Sequence, residues 1–440
     1  MLAVIDSYLA EAERIGAERR RDPAWVARIR REGLERFRAL GFPTTRDEEW
    51  RFTSVAPIAE GRFALAEDGA LSASRDDLAP FEWRGHLAAT LVFVNGRYAE
   101  AISNAGRLPR GVRVESLAAA LTRPTTTELE AHLSHVAIGD RQAFTALNAA
   151  FLVDGAFVHV PASTIVEAPI HLLFLSTGEA QPTMAHPRVL VVLDPNSQAT
   201  IVETYGGGAG AHGYFTNAVT EVVTGENAIL NHYKVQRENP SAIHVGAMNL
   251  RAAKNAHVAC HSISLGGALV RNDVMAVLDG EGAGCTLNGL YLSDGTRLVD
   301  NHTTIDHAQP HCGSREIYKG ILADRARAVF NGKIVVRPDA QKTDAKQTNK
   351  ALLLSEEAQI HTKPQLEIFA NDVKCTHGAA IGQMDDEAIF YLRSRGLSEH
   401  EARHVLIRAF AGDVLNQMPL EPLRLCIDAE LVRRLPEWRT

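Results

Sequence analysis

The sequence predicts a mainly β protein, a β-solenoid core held between helical ends. Three observations carry this. Polar turns ending in alanine (NSQA, GENA, KNA, GEGA) close at Ala199, Ala228, Ala256 and Ala283, spaced 29, 28 and 27 residues apart. An alternating stretch follows each, and regular strands without intervening helices suit coils that bury their faces on one another. Short β-branched-rich runs bounded by Pro, Gly or Asn fill the middle of the chain from about Leu87, whereas helical periodicity is confined to the two ends. An antiparallel sandwich or barrel also uses Gly- and Asn-rich turns, and periodicity alone leaves that alternative standing.

Taken in order, Val4 to Arg20 reads as a helix. Asp22 and Pro23 then form an N-cap and N1 pair, and Trp25, Val26, Ile29, Phe37 and Leu40 follow at roughly helical spacing until Gly41 and Pro43 stop the helix. The charged-aromatic segment RDEEWRF (Arg46 to Phe52) leads into a linker. Strands follow at Leu91 to Val94, Phe157 to Val160, Ile170 to Leu175, Val189 to Leu193 and Thr200 to Glu203. Between Glu115 and Leu152, the spacing of Leu129, Leu133 and Val136 predicts a short helical insertion. Later echoes of the repeat stand at Ala326 and Ala358. Past residue 384 helices return. Ser398 and Glu401 form a capping box, and Ala402, Val405, Leu406, Ala409, Phe410 and Val414 line one helical face before a last helix over Leu423 to Leu435. The organisation is therefore an N-terminal helical region and linker (1–86), a β core (87–383) and a C-terminal helical domain (384–440).

Composition excludes several function classes. The 440 residues suggest about three structural units, and 45% apolar against 22% charged residues is an ordinary globular balance. A net charge of −7 gives no global positive field for nucleic acid or anionic lipid. The longest apolar runs fall far short of the 18 or so residues that span a bilayer. No secretory signal is visible, so the expected location is cytoplasmic. Five cysteines, an odd number without CxxC pairs, fit neither a disulfide framework nor a zinc knuckle.

Without GxxxxGK[ST] the chain has no Walker A loop and is expected to bind no nucleotide itself. The glycine-rich run Gly206 to Gly213 reads as a flexible loop. Three places concentrate candidate ligands. In HVACH (His257 to His261), strand alternation puts Cys260 opposite both histidines, which are too far apart to share a metal, so Cys260 reads as a packed residue, and Cys285 likewise. In DNHTTIDHAQPHC (Asp300 to Cys312), Pro310 disfavours a helical HxxxH pairing of His307 with His311, and a polar ladder on the solenoid is the better reading. In CTH, Cys375 and His377 point the same way, yet two ligands cannot complete a tetrahedral site. Either a second chain supplies the rest or the pair is structural.

The segments GFPTTRDEEWRFT (Gly41 to Thr53), DNHTTIDHAQPHCGSREIYKGIL (Asp300 to Leu322), NGKIVVRPDAQKTDAKQTNKALLLS (Asn331 to Ser355) and TKPQLEIFANDVKCTHGAAIGQMD (Thr362 to Asp385) resemble the SufD family, the D component of the SufBCD iron-sulfur cluster assembly complex. The related B component is expected to show HEA where this sequence has His377, Gly378 and Ala379. The resemblance implies a right-handed parallel β-helix core and a non-enzymatic scaffold role. It implies a SufB-type paralogue bound through the end strands of the β-helix, with Ile360 to Phe369 among them, and a SufC-type ABC ATPase bound through the C-terminal helices. It implies that the isolated chain can pair with itself, and that a transient iron-sulfur cluster forms at the subunit interface. There His377 would act as cluster or iron ligand beside a partner-chain Cys, with Cys375 next to it and iron acquisition as a further role. The alternative class is a β-helix enzyme acting on polysaccharide, with Asp300 and Asp306 as acid and base. An aromatic content of 6% leaves few rings for sugar stacking.

Overall fold

The structure, a computed structural model, describes residues 2–19, 22–66, 73–83, 85–123, 127–137, 142–177, 181–208, 211 and 213–434. Arg20 and Leu435, expected in helices, and Ala209, Gly210 and His212 of the glycine-rich run lie outside them. The core is a parallel β-solenoid of two facing sheets. Its strands are β1 (Ala89–Val94), β2 (Gly155–Val160), β3 (Ile170–Ser176), β4 (Arg188–Leu193), β5 (Gln198–Gly207), β6 (Phe215–Thr224), β7 (Ile229–Arg237), β8 (Ile243–Ala252), β9 (His257–Ser264), β10 (Leu269–Leu278), β11 (Gly284–Ser293), β12 (Leu298–His307), β13 (Gly313–Leu322), β14 (Arg327–Val336), β15 (Asp344–Leu353), β16 (Gln359–Ile368) and β17 (Lys374–Gln383). Odd strands form one sheet and even strands the other, each paired to the strand one coil away.

The repeat has a backbone cause. Asn196, Asn227, Asn255, Gly282, His311 and Lys342 all take positive φ, between 54° and 73°, a region that Gly and Asn enter at least cost. The N–H of each donates to a carbonyl one coil on, those of Glu226, Lys254, Glu281, Pro310, Gln341 and Asp372. The next residues, Ser197, Ala228, Ala256, Ala283, Cys312 and Thr343, stack at 0–1% exposure. The corner admits only small side chains. Two assignments from the sequence need correction. Ala199 sits two residues past the corner, inside β5, where Ser197 holds the repeat position. Ala326 and Ala358 belong to the opposite corner, ahead of β14 and β16. The true continuation, Cys312 and Thr343, is hidden because neither is alanine.

Helices cover the outer faces. Helices α1 (Leu2–Glu18), α2 (Ala24–Leu40) and α3 (Ala143–Ala150) lie on the even sheet, joining Tyr8, Phe37, Phe42 and Phe144 to Phe215, Ile243 and Leu269. Gly33 permits the close crossing of α2 on α3, since a Cβ there would lie 2.7 Å from the Ala150 amide. Asp22 does not cap α2. It forms an ion pair with buried Arg30 instead, and Pro23 occupies the cap position.

On the odd sheet lie α4 (Asp386–Ser394), α5 (Glu399–Leu415) and α6 (Glu421–Arg434). The Ser398–Glu401 capping box is present. The buried stripe of α5, however, is Ala402, Ile407, Ala411, Val414 and Leu415, the last four packed over Tyr233, Ile263, Leu290 and Ile321. Of the residues expected there, Val405 stays 44% exposed and Ala409 is exposed too. The helix is rotated because the line Ile407, Ala411, Val414, Leu415 meets the sheet. Among the described residues no helix is long and apolar enough to cross a membrane.

Candidate functional site

The solenoid ends open. β16 and β17 are the last strands of their sheets, each paired on one side only; neither has a buried residue, and β17 is largely exposed. Strand register places His377 in an inward-facing row of the odd sheet, Cα-paired with Gln347, which pairs with Glu316, which pairs with Leu287 and then Cys260. Cys375 occupies the neighbouring row, paired with Ala345. Both side chains therefore share the inner face. They differ in setting: His377 is exposed, whereas Cys375 is partly buried against a small apolar cluster that includes Ala345 and Ile334. Burial pushes the Cys375 thiol above its ordinary pKa, which disfavours a standing thiolate.

One coil below His377 the lumen is polar and closed. Gln347 Nε2 donates to Glu316 Oε2 at 2.7 Å, and the two residues are 2% and 1% exposed. Burial pushes the Glu316 carboxyl up to about 7. Below it Leu287, Cys285 and Cys260 are apolar packing; burial raises the Cys260 thiol to about 12. The other histidine clusters have structural duties. His261 points outward and stacks on Tyr233 at 4.9 Å beneath the C-terminal helices. His307 bonds Ser314 Oγ at 2.9 Å inside the lumen, and His311 holds a corner of the repeat. Among the described residues no group of three or more His, Cys, Asp or Glu side chains could hold a metal.

The DNHTTIDH strand is instead a latch for the RDEEWRF segment. Arg271 Nη1 reaches Asp300 Oδ2 at 2.6 Å and the Glu49 carbonyl at 2.9 Å, with its guanidinium 4.3 Å from the Trp50 ring centre. Thr53 donates to Asp300 at 2.5 Å, and His302 lies 3.0 Å from Glu49 and 3.1 Å from Asp300. Burial opposes ionisation of Asp300, but Arg271 and His302 outweigh it and hold the carboxyl down to about 2. Asp306 is paired with Arg337 at 2.7 Å. Both carboxylates are thus engaged as ion-pair partners, and with its carboxyl held down Asp300 cannot serve as a general acid.

Two family models cover nearly the whole chain: the SufBD protein N-terminal region matches residues 5–172, and the SufBD core domain of the SUF iron-sulfur cluster assembly system matches residues 174–410. The chain belongs to the SufBD family. Among its SufBD relatives, an iron-sulfur cluster assembly SufBD family protein of Synechocystis is 35% identical over 405 residues, 90% of this chain and 88% of that protein. SufD of Escherichia coli is 32% identical over 421 residues, 92% of each chain. SufD of Bacillus subtilis is 26% identical over 95% of this chain and 96% of its own. A role in iron-sulfur cluster assembly follows from membership. Within this SufBD chain, sequence reasoning missed Gln347 and Glu316. Their signal was the coil length: 347 lies 30 residues before 377, and 316 lies 31 before 347, one row of the same ladder.

Proposed function

We propose that this chain is the non-enzymatic scaffold subunit of a SufBCD-type complex, working in the cytoplasm, and that a transient iron-sulfur cluster is assembled across its open edge. The edge strands β16 and β17 pair with a SufB-type paralogue, and His377 supplies an imidazole ligand to iron or cluster opposite a thiolate of the paralogue. The observation that carries this reading is the position of His377, exposed on the inner face of a strand whose outer edge is unpaired. Unpaired N–H and C=O groups at such an edge invite strand addition. An apolar rim favours it too, since Ile381, Ile368 and Phe369 are 48%, 39% and 63% exposed. A neutral imidazole adds no negative charge to the cluster, which suits a site that must release its product. Iron acquisition is part of the same role, and Cys375 is a secondary ligand that acts only once iron or the partner lowers its thiol pKa.

ATP hydrolysis belongs to a SufC-type partner seated on the C-terminal helices. Phe390 at 74% exposure, Tyr391 at 56% and Val405 at 44% are large apolar side chains left uncovered on α4 and α5. The deciding experiment is His377→Ala in the co-expressed complex. Assembly of the three chains should persist while cluster yield after anaerobic reconstitution with iron and a sulfide donor falls at least tenfold. Cys375→Ser should lower it far less. Full yield from the intact His377→Ala complex would reject the assignment.

A further inference from the structure

The interior immediately beneath the open edge contains a polar column. Gln347 and Glu316 are inward, buried and in register with His377 on strands roughly 4.8 Å apart. Gln347 extends across the lumen to the even sheet, where Gly332 leaves it room: a Cβ on Gly332 would lie 2.4 Å from Gln347 Nε2. That nitrogen donates to Glu316 Oε2. The oxygen and nitrogen of a carboxamide diverge from one carbon, so anchoring Nε2 on Glu316 turns Oε1 away from it. Gln347 Oε1 is buried and accepts no hydrogen bond, a costly state for a carbonyl oxygen. The next side chain of the row on the open side is His377.

We propose that Gln347, oriented by Glu316, accepts the N–H of one His377 ring nitrogen at the assembled edge, fixing the tautomer so that the other nitrogen presents its lone pair to iron. The inference rests on the reading of His377 as a ligand. Gln347 and Glu316 are positioning residues, since neither touches the cluster. Metal-binding imidazoles are generally held this way, by a second hydrogen bond that sets both ring orientation and tautomer. Leu287 and Cys260 interrupt the row one and two coils further in, before His232. The column is therefore an orienting device and not a passage through the solenoid.

The test uses the full chain labelled with ¹⁵N-histidine in complex with unlabelled paralogue, with the His377 signals assigned by their loss in His377→Ala. Wild type should show one neutral tautomer at His377. Gln347→Met, which keeps length and removes the acceptor, should give a tautomer mixture and about tenfold weaker cluster retention. Glu316→Leu should do the same, whereas Glu316→Gln, whose amide oxygen still accepts from Gln347, should restore both readouts. Gly332→Ala disturbs the same amide from the opposite sheet and serves if Gln347→Met does not fold. A folded Gln347→Met or Gly332→Ala complex with the wild-type tautomer and wild-type cluster retention would overturn the column. If His377→Ala complexes form clusters normally while Gln347→Met still mixes the tautomers, the column stands and the ligand role of His377 fails.

Discussion

At Glu316 burial decides the ionisation. Its carboxyl shares the lumen with Leu287, Tyr318 and Phe330 and accepts the Gln347 amide, and burial moves its pKa from 4.5 to about 7. The folded pKa lies above the unfolded one, so its contribution to stability is complete below about pH 4.5 and is lost as pH rises through about 7. The full span is worth roughly 3 kcal/mol. Glu316→Gln removes the titration but keeps the acceptor. Unfolding free energies of wild type and variant from denaturant titrations should therefore be closest near pH 5, with the variant ahead by a few kcal/mol near pH 8. Parallel pH profiles for the two proteins would mean that Glu316 ionises freely.

The latch shows how an element is fixed by a few side chains. The segment between α2 and the core is held by Arg271, which pairs with Asp300 and lies against the Trp50 ring. Asp300→Asn would leave Arg271 paired with Asp273 alone, and losing one of its two charged partners should cost about 1.5–3 kcal/mol. The variant should expose residues 44–55 to limited proteolysis while the core strands stay protected from hydrogen exchange. Unchanged cleavage would mean that helix packing alone holds the segment. At this scale the sequence was read unevenly. The capping box of α5 was legible because it is local, four residues deciding their own geometry. The buried stripe of that helix was not, because the sheet beneath selects Ile407 and Ala411 over Val405. Asp22 failed as a cap for the same reason, as a buried arginine from the next turns of helix claimed its carboxylate. Packing also refines the test for ATPase docking. Deleting everything after Asp385 would uncover Tyr233, Ile263, Leu290 and Ile321, so Phe390→Ser with Tyr391→Ser is the cleaner variant. It should abolish ATPase copurification and leave the melting temperature within a few degrees.

For the molecule as a whole, the solenoid was legible because a coil must return to the same corner every 27 to 31 residues, and its corner needs small residues after a left-handed one. His377 was legible as sharing a strand face with Cys375 and, through the family resemblance, as an interface residue, but not as an inward one, since alternation alone does not say which face the coils enclose. Its edge position has a backbone consequence. Lys374 donates its N–H to Thr343, and residues of a parallel strand bond alternately to one neighbour and the other. Thr376, Gly378 and Ala380 therefore face β15, while Cys375, His377, Ala379 and Ile381 turn their N–H and C=O groups to the free edge. Proline separates the two sets, because it removes an N–H and is tolerated where that N–H faces outward. Ala379→Pro should leave the chain folded and its melting temperature nearly unchanged, yet weaken both self-pairing and pairing with the paralogue, as read by light scattering of the chain alone and of the mixture. Ala380→Pro, one residue away, removes a ladder bond and should destabilise the last coil by about 3 kcal/mol. If Ala379→Pro bound the paralogue as wild type does, the two chains would not meet by strand addition along β17, and the cluster site would have to be sought away from this edge.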